Sequence, residues 1–257
     1  MTTASGVNEP IRGAAGLSRR AMVALMLGVP TTLGACGARS RAASTFVPST
    51  SNARTFTVEY GGVDVRCLFA ATSYTAFEPG GLALILLHGA NADASQWTDI
   101  GLTSVIDSLA PTDKASGVVA VAPDIGDHST AAALVVDSVL PAVIDRFGAA
   151  SFGISGISRG AAGALQSAVD EPTRFRTVGL HSPAINLAQM LGGEPWKCWI
   201  DIGTDDGLAD SEKQLADSLR QGGTDVVEHK WPGGHNRAYW RAHLADYIGF
   251  HVNGGES

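Results

Sequence analysis

Short apolar runs alternating with helical runs predict an α/β domain: a mostly parallel eight-stranded sheet with helices on both faces. Three observations carry this. Leu82–Leu87 is continuously apolar and Ala149–Ile157 is small and largely apolar, as strands buried on both faces must be. Most gaps between them hold helix-forming segments of crossover length. The pentapeptide Gly156-Ile157-Ser158-Arg159-Gly160 stands where a strand hands over to a helix.

In chain order the strands are expected at Arg54–Tyr60, Val63–Ala70, Leu82–Leu87, Gly117–Ala122, Ala150–Gly156, Thr177–His181, Lys197–Gly203 and Asp225–Trp231. The first two, joined at Gly61-Gly62, read as an N-terminal β-hairpin. Helices are expected over Gln96–Leu109, Thr130–Phe147, Ala161–Asp170, Ser211–Gln221 and Asn236–Phe250. The connections after Pro123 and Ser182 are short, leaving little or no room for a lid.

Gly-x-Ser-x-Gly between strand and helix is the pattern of a nucleophile elbow, a tight turn that lifts a serine hydroxyl clear of the sheet. It calls for an acid and then a histidine, each just beyond a later strand. Thr204-Asp205-Asp206-Gly207 follows one such strand, with Asp206 preferred to Asp205. Pro232-Gly233-Gly234-His235 follows the last, where a glycine turn lets His235 reach back to Ser158. Of the six other histidines, His229 and His251 are expected to be solvent-facing or structural. His181 stands near the rim, with a substrate-facing role as the alternative. After Leu82–Leu87 comes His88-Gly89-Ala90-Asn91. There the Ala90 amide, with that of Arg159, is expected to form an oxyanion hole. Asn91, Gln96-Trp97, Asp124, Asp127-His128, His181 and Trp196 are candidates for the pocket mouth, or else structural. The Arg159 side chain is a candidate contact for an acidic substrate, or merely faces a neighbouring loop.

These pieces together resemble the esterase-D-like family of α/β-hydrolases, which includes S-formylglutathione hydrolases, feruloyl esterases and mycolyltransferases. The resemblance runs through Leu86-Leu87-His88-Gly89, Val121-Ala122-Pro123-Asp124, Val139-Leu140-Pro141-Ala142-Val143-Ile144 and Gly156–Gly160. It continues through Phe175-Arg176-Thr177-Val178, Gly203-Thr204-Asp205-Asp206 and Gly233-Gly234-His235 with Tyr239-Trp240. It implies an α/β-hydrolase fold with Ser158 as nucleophile, Asp206 as acid, His235 as base, and backbone donors at Ala90 and Arg159. The expected activity is hydrolysis of carboxylic esters, of a small molecule, lipid or sugar, through a Ser158 acyl-enzyme. The alternatives are acyl transfer to envelope sugars or lipids, and a non-catalytic binding lipoprotein. Arg159 departs from the Met or Leu that family members often carry after the serine. In this fold Cys67 and Cys198 lie on distant strands, so both are expected to be free thiols.

Residues 1–35 read as an export signal rather than as part of the fold. Ser18-Arg19-Arg20 precedes an apolar run over Ala21–Leu33, the arrangement of twin-arginine export. Leu33-Gly34-Ala35-Cys36 has the form of a lipobox, which would make Cys36 the lipidated first residue and anchor the protein to the membrane. Residues 36–53 form a Ser/Thr/Ala/Arg-rich tether, and 54–252 the folded domain. The whole chain carries a formal charge of −7; removing residues 1–35, with three arginines and one glutamate, leaves −9. With no basic cluster, nucleic acid is excluded as a partner. No metal-ligand spacing or phosphate-binding motif is present, and no cofactor is expected.

Overall fold

A computed structural model of the chain describes residues 54–72, 81–109, 117–126, 128–185 and 196–256. The segments expected to be an export signal and a tether, with Cys36, lie outside the described residues, as does Asp127. Residues 186–195 do too, so the expected absence of a lid after Ser182 has no structural counterpart to compare.

Eight strands form one sheet: β1 (Arg54–Tyr60), β2 (Val63–Ala71), β3 (Leu82–Leu87), β4 (Val118–Pro123), β5 (Ser151–Ile157), β6 (Phe175–His181), β7 (Lys197–Gly203) and β8 (Asp225–Trp231). Their spatial order is β1-β2-β4-β3-β5-β6-β7-β8. β1 and β2 pair antiparallel, β2 runs antiparallel to β4, and all other neighbours are parallel. Gly61 and Gly62 close the hairpin with φ of 61° and 79°. Positive φ at both central residues is the turn whose twist matches that of the flanking strands.

Helices α1 (Ser95–Asp99), α2 (Leu102–Leu109) and α7 (Arg237–Val252) pack on one face. The other face is covered by α3 (Ala131–Leu134), α4 (Leu140–Phe147), α5 (Arg159–Asp170) and α6 (Ala209–Gln221). Leu84 to Leu87 on β3 are fully buried, because they lie mid-sheet between the two layers. Each such side chain contributes roughly 1.5–3 kcal/mol on leaving water.

The expected helix over Gln96–Leu109 is two helices. Gly101, at φ 109°, breaks it, a backbone state in which other residues are strained. The Thr130–Phe147 run is continuous but contains a π-helical turn at Val135–Val139 between α3 and α4. α5 starts at Arg159, two residues before the apolar pattern suggests. Cys67 and Cys198 are buried free thiols on β2 and β7, with four strands between them. Burial pushes both thiols up to about 12.

Candidate active site

The parallel strands all point their carboxyl ends to one edge, where open α/β sheets present their ligand crevice. Ser158 sits there between β5 and α5, with φ 56° and ψ −118°. A serine held at positive φ stores roughly 1–3 kcal/mol of strain, so the surroundings must impose it. The two flanking glycines show how. A Cβ on Gly156 would overlap the Gly160 carbonyl, and one on Gly160 would overlap the Leu87 carbonyl. Only glycine lets α5 start so close to β5 and β3.

His235 Nε2 lies 2.9 Å from Ser158 Oγ, and His235 Nδ1 lies 2.8 Å from Asp206 Oδ2. Asp206 is buried, and its other oxygen accepts the Leu208 N–H at 3.0 Å, which locks the carboxylate in place. Asp205 is exposed and turned away; its backbone N–H donates to the Gly233 carbonyl at 2.8 Å. That bond joins the acid's loop to the glycine turn before His235. After the histidine, Asn236 caps α7 by accepting from the backbone of Ala238 and Tyr239.

Ala90 and Arg159 line the same cavity of about 510 Å³, with His88, Asn91, Asp93, Asp124 and His128 around them. Arg159 is the first residue of α5, so its backbone N–H has no acceptor within the helix. The Ala90 turn is held by a contact that the sequence did not flag: buried Gln96 accepts the Gly89 N–H at 2.7 Å. Gln96 therefore supports the turn and does not line the pocket mouth.

Among the other candidates, Asp124 and His128 line this cavity while also fastening its walls, and Trp97 and Trp196 are structural. Asp124 pairs with Arg66 at 2.6 Å and accepts the Ala94 N–H at 2.7 Å, fastening the loop beyond β3. Trp97 and Trp196 are buried in the core. His88 accepts from the Ile125 N–H at 2.9 Å and donates to the Gly89 carbonyl at 2.8 Å. Burial lowers its pKa and keeps it neutral. His128 sits at the cavity edge beside it, with its Nε2 donating to the His88 carbonyl at 3.2 Å.

The substrate-facing alternative for His181 is overturned: the side chain is fully buried, donating to Asp201 at 2.7 Å and touching Ser155 Oγ at 3.2 Å. Its strand ends at the same edge as the others, with the His181 carbonyl accepting the Ser158 N–H at 2.9 Å, but the ring turns inward. His251 is likewise internal, between Ser155 and Thr177. His229 is half-buried, against the Trp199 and Trp231 rings.

A cavity of about 360 Å³ lies at the opposite, amino ends of the strands, around Gly81, Ser151 and His251. It contains neither the elbow serine nor the amides beside it.

A family model described as a putative esterase matches residues 132–206, a stretch that contains Ser158 and Asp206 but not His235. No curated protein sequence matches the chain. Among solved structures, a ferulic acid esterase is similar at a TM-score of 0.67 and 17% identity, over 79% of this chain and 98% of that one. An S-formylglutathione hydrolase from Staphylococcus aureus is similar at 0.64 and 18%, over 81% and 100%. Another from Agrobacterium tumefaciens is similar at 0.60 and 16%, over 79% and 95%. Feruloyl esterases and S-formylglutathione hydrolases are the relatives to which the sequence motifs pointed. The fold is that of the α/β-hydrolases.

Proposed function

We infer that this chain is a serine hydrolase that cleaves carboxylic esters through an acyl-enzyme on Ser158. The observation that carries this reading is the unbroken hydrogen-bonded path from Ser158 Oγ through His235 to Asp206, starting at a serine held at positive φ. The match to the putative-esterase family supports it.

Ser158 Oγ attacks the ester carbonyl carbon while its proton passes to His235 Nε2, already within transfer distance. Asp206 accepts the Nδ1–H, which fixes the tautomer and stabilises the imidazolium that forms. The carbonyl oxygen, now negative, takes hydrogen bonds from the backbone N–H groups of Ala90 and Arg159. One such donor is typically worth ~2.7–4 kcal/mol in the transition state. Collapse breaks the bond to the alcohol oxygen, which leaves with the proton from His235. Water then repeats the sequence on the acyl-enzyme, giving the acid and free Ser158.

Hydrolysis of p-nitrophenyl acetate, butyrate and octanoate tests this. Turnover is expected in the wild type and lost in Ser158→Ala, and the trend with chain length measures the acyl pocket. Folded wild-type protein with no turnover on any of them sinks the reading. Adding an acceptor alcohol separates hydrolysis from acyl transfer by the products formed.

We also propose that the protein is exported and anchored by lipid on Cys36, on the support of Arg19-Arg20, the apolar run and Leu33-Gly34-Ala35-Cys36. Expressed in a bacterial host, the chain should enter the membrane fraction and incorporate labelled fatty acid. Cys36→Ser should abolish the label; persistence of the label in that variant contradicts the assignment.

A further inference from the structure

Asp201 lies in the middle of the polar side chains beneath the Ser158–His235 pair. It stands on β7, is fully buried, and takes four donors. His181 Nδ1 at 2.7 Å and Trp199 Nε1 at 2.9 Å reach Oδ1. The hydroxyls of Tyr239 and Tyr247, each at 2.9 Å, reach Oδ2. The two oxygens of a carboxylate have lone pairs enough for four donors. Well-packed apolar residues would often stabilise a core as well as such a buried charge, so stability alone is a weak reason for it.

The two oxygens serve two halves of the active site. On the Oδ1 side, His181 offers its backbone carbonyl to the Ser158 N–H at 2.9 Å, so holding His181 holds the elbow. On the Oδ2 side, Tyr239 belongs to the first turn of α7, four residues after His235. Its neighbour Trp240 stands edge-on to the His235 ring, with centroids 5.2 Å apart. The Trp240 indole N–H donates to Ser182 Oγ at 3.1 Å, and the Ser182 N–H donates to the Asp201 carbonyl at 2.8 Å. Side chain and backbone of one residue thus tie the serine's turn to the histidine's turn.

We propose that Asp201 is a positioning residue that sets the separation of Ser158 Oγ and His235 Nε2, through His181 on one side and Tyr239 on the other. This rests on the esterase reading given above. Tyr247 provides the internal control. Its hydroxyl donates to the same oxygen at the same distance and its side chain is also buried, but it lies two turns further along α7 from His235, and its ring stacks on His181 at 3.6 Å, a contact that Phe would keep.

Tyr239→Phe and Tyr247→Phe each delete one such hydroxyl from the full-length protein. A purely structural network predicts equal effects. Positioning predicts similar losses of Tm but unequal kinetics. For p-nitrophenyl butyrate, kcat should fall about tenfold in Tyr239→Phe with KM within about twofold, since small misplacements of reacting groups are costly. In Tyr247→Phe, kcat should stay within about twofold of wild type. A double-mutant cycle adds a readout that folding does not move: in a His235→Ala background, Tyr239→Phe should leave residual fluorophosphonate labelling of Ser158 unchanged. Equal kcat losses in the two tyrosine variants, a loss confined to KM, or an undiminished Tyr239→Phe effect without His235 overturns the positioning alone. If Tyr239→Phe does not fold while Tyr247→Phe does, a merely structural tie is indicated and the proposal falls. Wild-type protein that neither turns over esters nor labels overturns the esterase reading, and the positioning with it.

Discussion

Two hydrogen-bonded Ser–His–Asp sets share this sheet, their serines three residues apart within and just after β5, and only one is open to solvent. In the first, Ser158, His235 and Asp206 are linked by contacts of 2.9 and 2.8 Å. In the second, Ser155, His181 and Asp201 are linked at 3.2 and 2.7 Å. Residue types and distances barely distinguish them; their settings do. Ser155 is 1% exposed and His181 and Asp201 not at all, so no ester carbonyl can approach. Ser155 lies inside a regular strand, without the turn that aims amides at a reacting oxygen. Its hydroxyl is also held by His251 Nε2 at 2.7 Å. The proposed nucleophile differs in its positive-φ turn, in the cavity lined by the adjoining Arg159, and in a histidine with one-third of its side chain in solvent. A triad-like chain of hydrogen bonds is therefore a common way to satisfy buried polar groups. Access and backbone turn set the proposed reaction centre apart from the buried set.

The sharpest way to break this comparison is covalent. A fluorophosphonate should modify Ser158 completely and Ser155 not at all in the folded protein, read by mass spectrometry of the two serines. Modified Ser155 would show that the buried set is reachable after all. Next comes the acid. Asp206→Asn should lower kcat on the order of 10⁴-fold with little change in Tm, since it upsets the imidazole tautomer at the edge of the fold. Asp201→Asn turns an amide NH2 toward two of the four donors and should cost roughly 1–3 kcal/mol of stability for each buried donor left without an acceptor. A larger stability loss in Asp206→Asn than in Asp201→Asn would reverse the assignment of the two sets.

A further contrast concerns pH. Burial, with the neighbouring His181 adding to it, lowers the His251 pKa from its ordinary 6.5 to about 3. The unfolded chain then binds the proton more readily than the folded one, so stability rises with pH across that window. This contribution is complete above pH 6.5 and is lost as pH falls toward 3. His251→Gln should flatten the fall of Tm between pH 6.5 and 4, and an unchanged slope would remove His251 from the account.

Much of the architecture was legible because its signals are local. β3 reads as buried from six apolar residues in a row, and the elbow from two glycines whose missing side chains let β5, β3 and α5 meet. Gly101 carried a local signal as well, yet the apolar periodicity of 96–109 hid the break it causes. His181 was the instructive failure. Placed at the carboxyl end of a strand, it has the address of a rim residue, but its ring turns inward to a carboxylate one strand away.

The sequence by itself determined the order of strands and helices, the serine's turn, and the later turns bearing Asp206 and His235. Apolar runs and glycine punctuation act within a few residues, so no tertiary knowledge is needed to read them. Only the tertiary structure decided which polar side chains meet. Asp206, which the sequence reading already preferred to Asp205, came to meet His235, 29 residues away, through a buried carboxylate. Gln96 came to hold Gly89, and Ser155 found His251 across 96 residues of chain. The Asp201 network assembled from β6, β7 and α7. Those partners are chosen by which buried donors must find acceptors once the sheet closes, a requirement that exists only in the folded core.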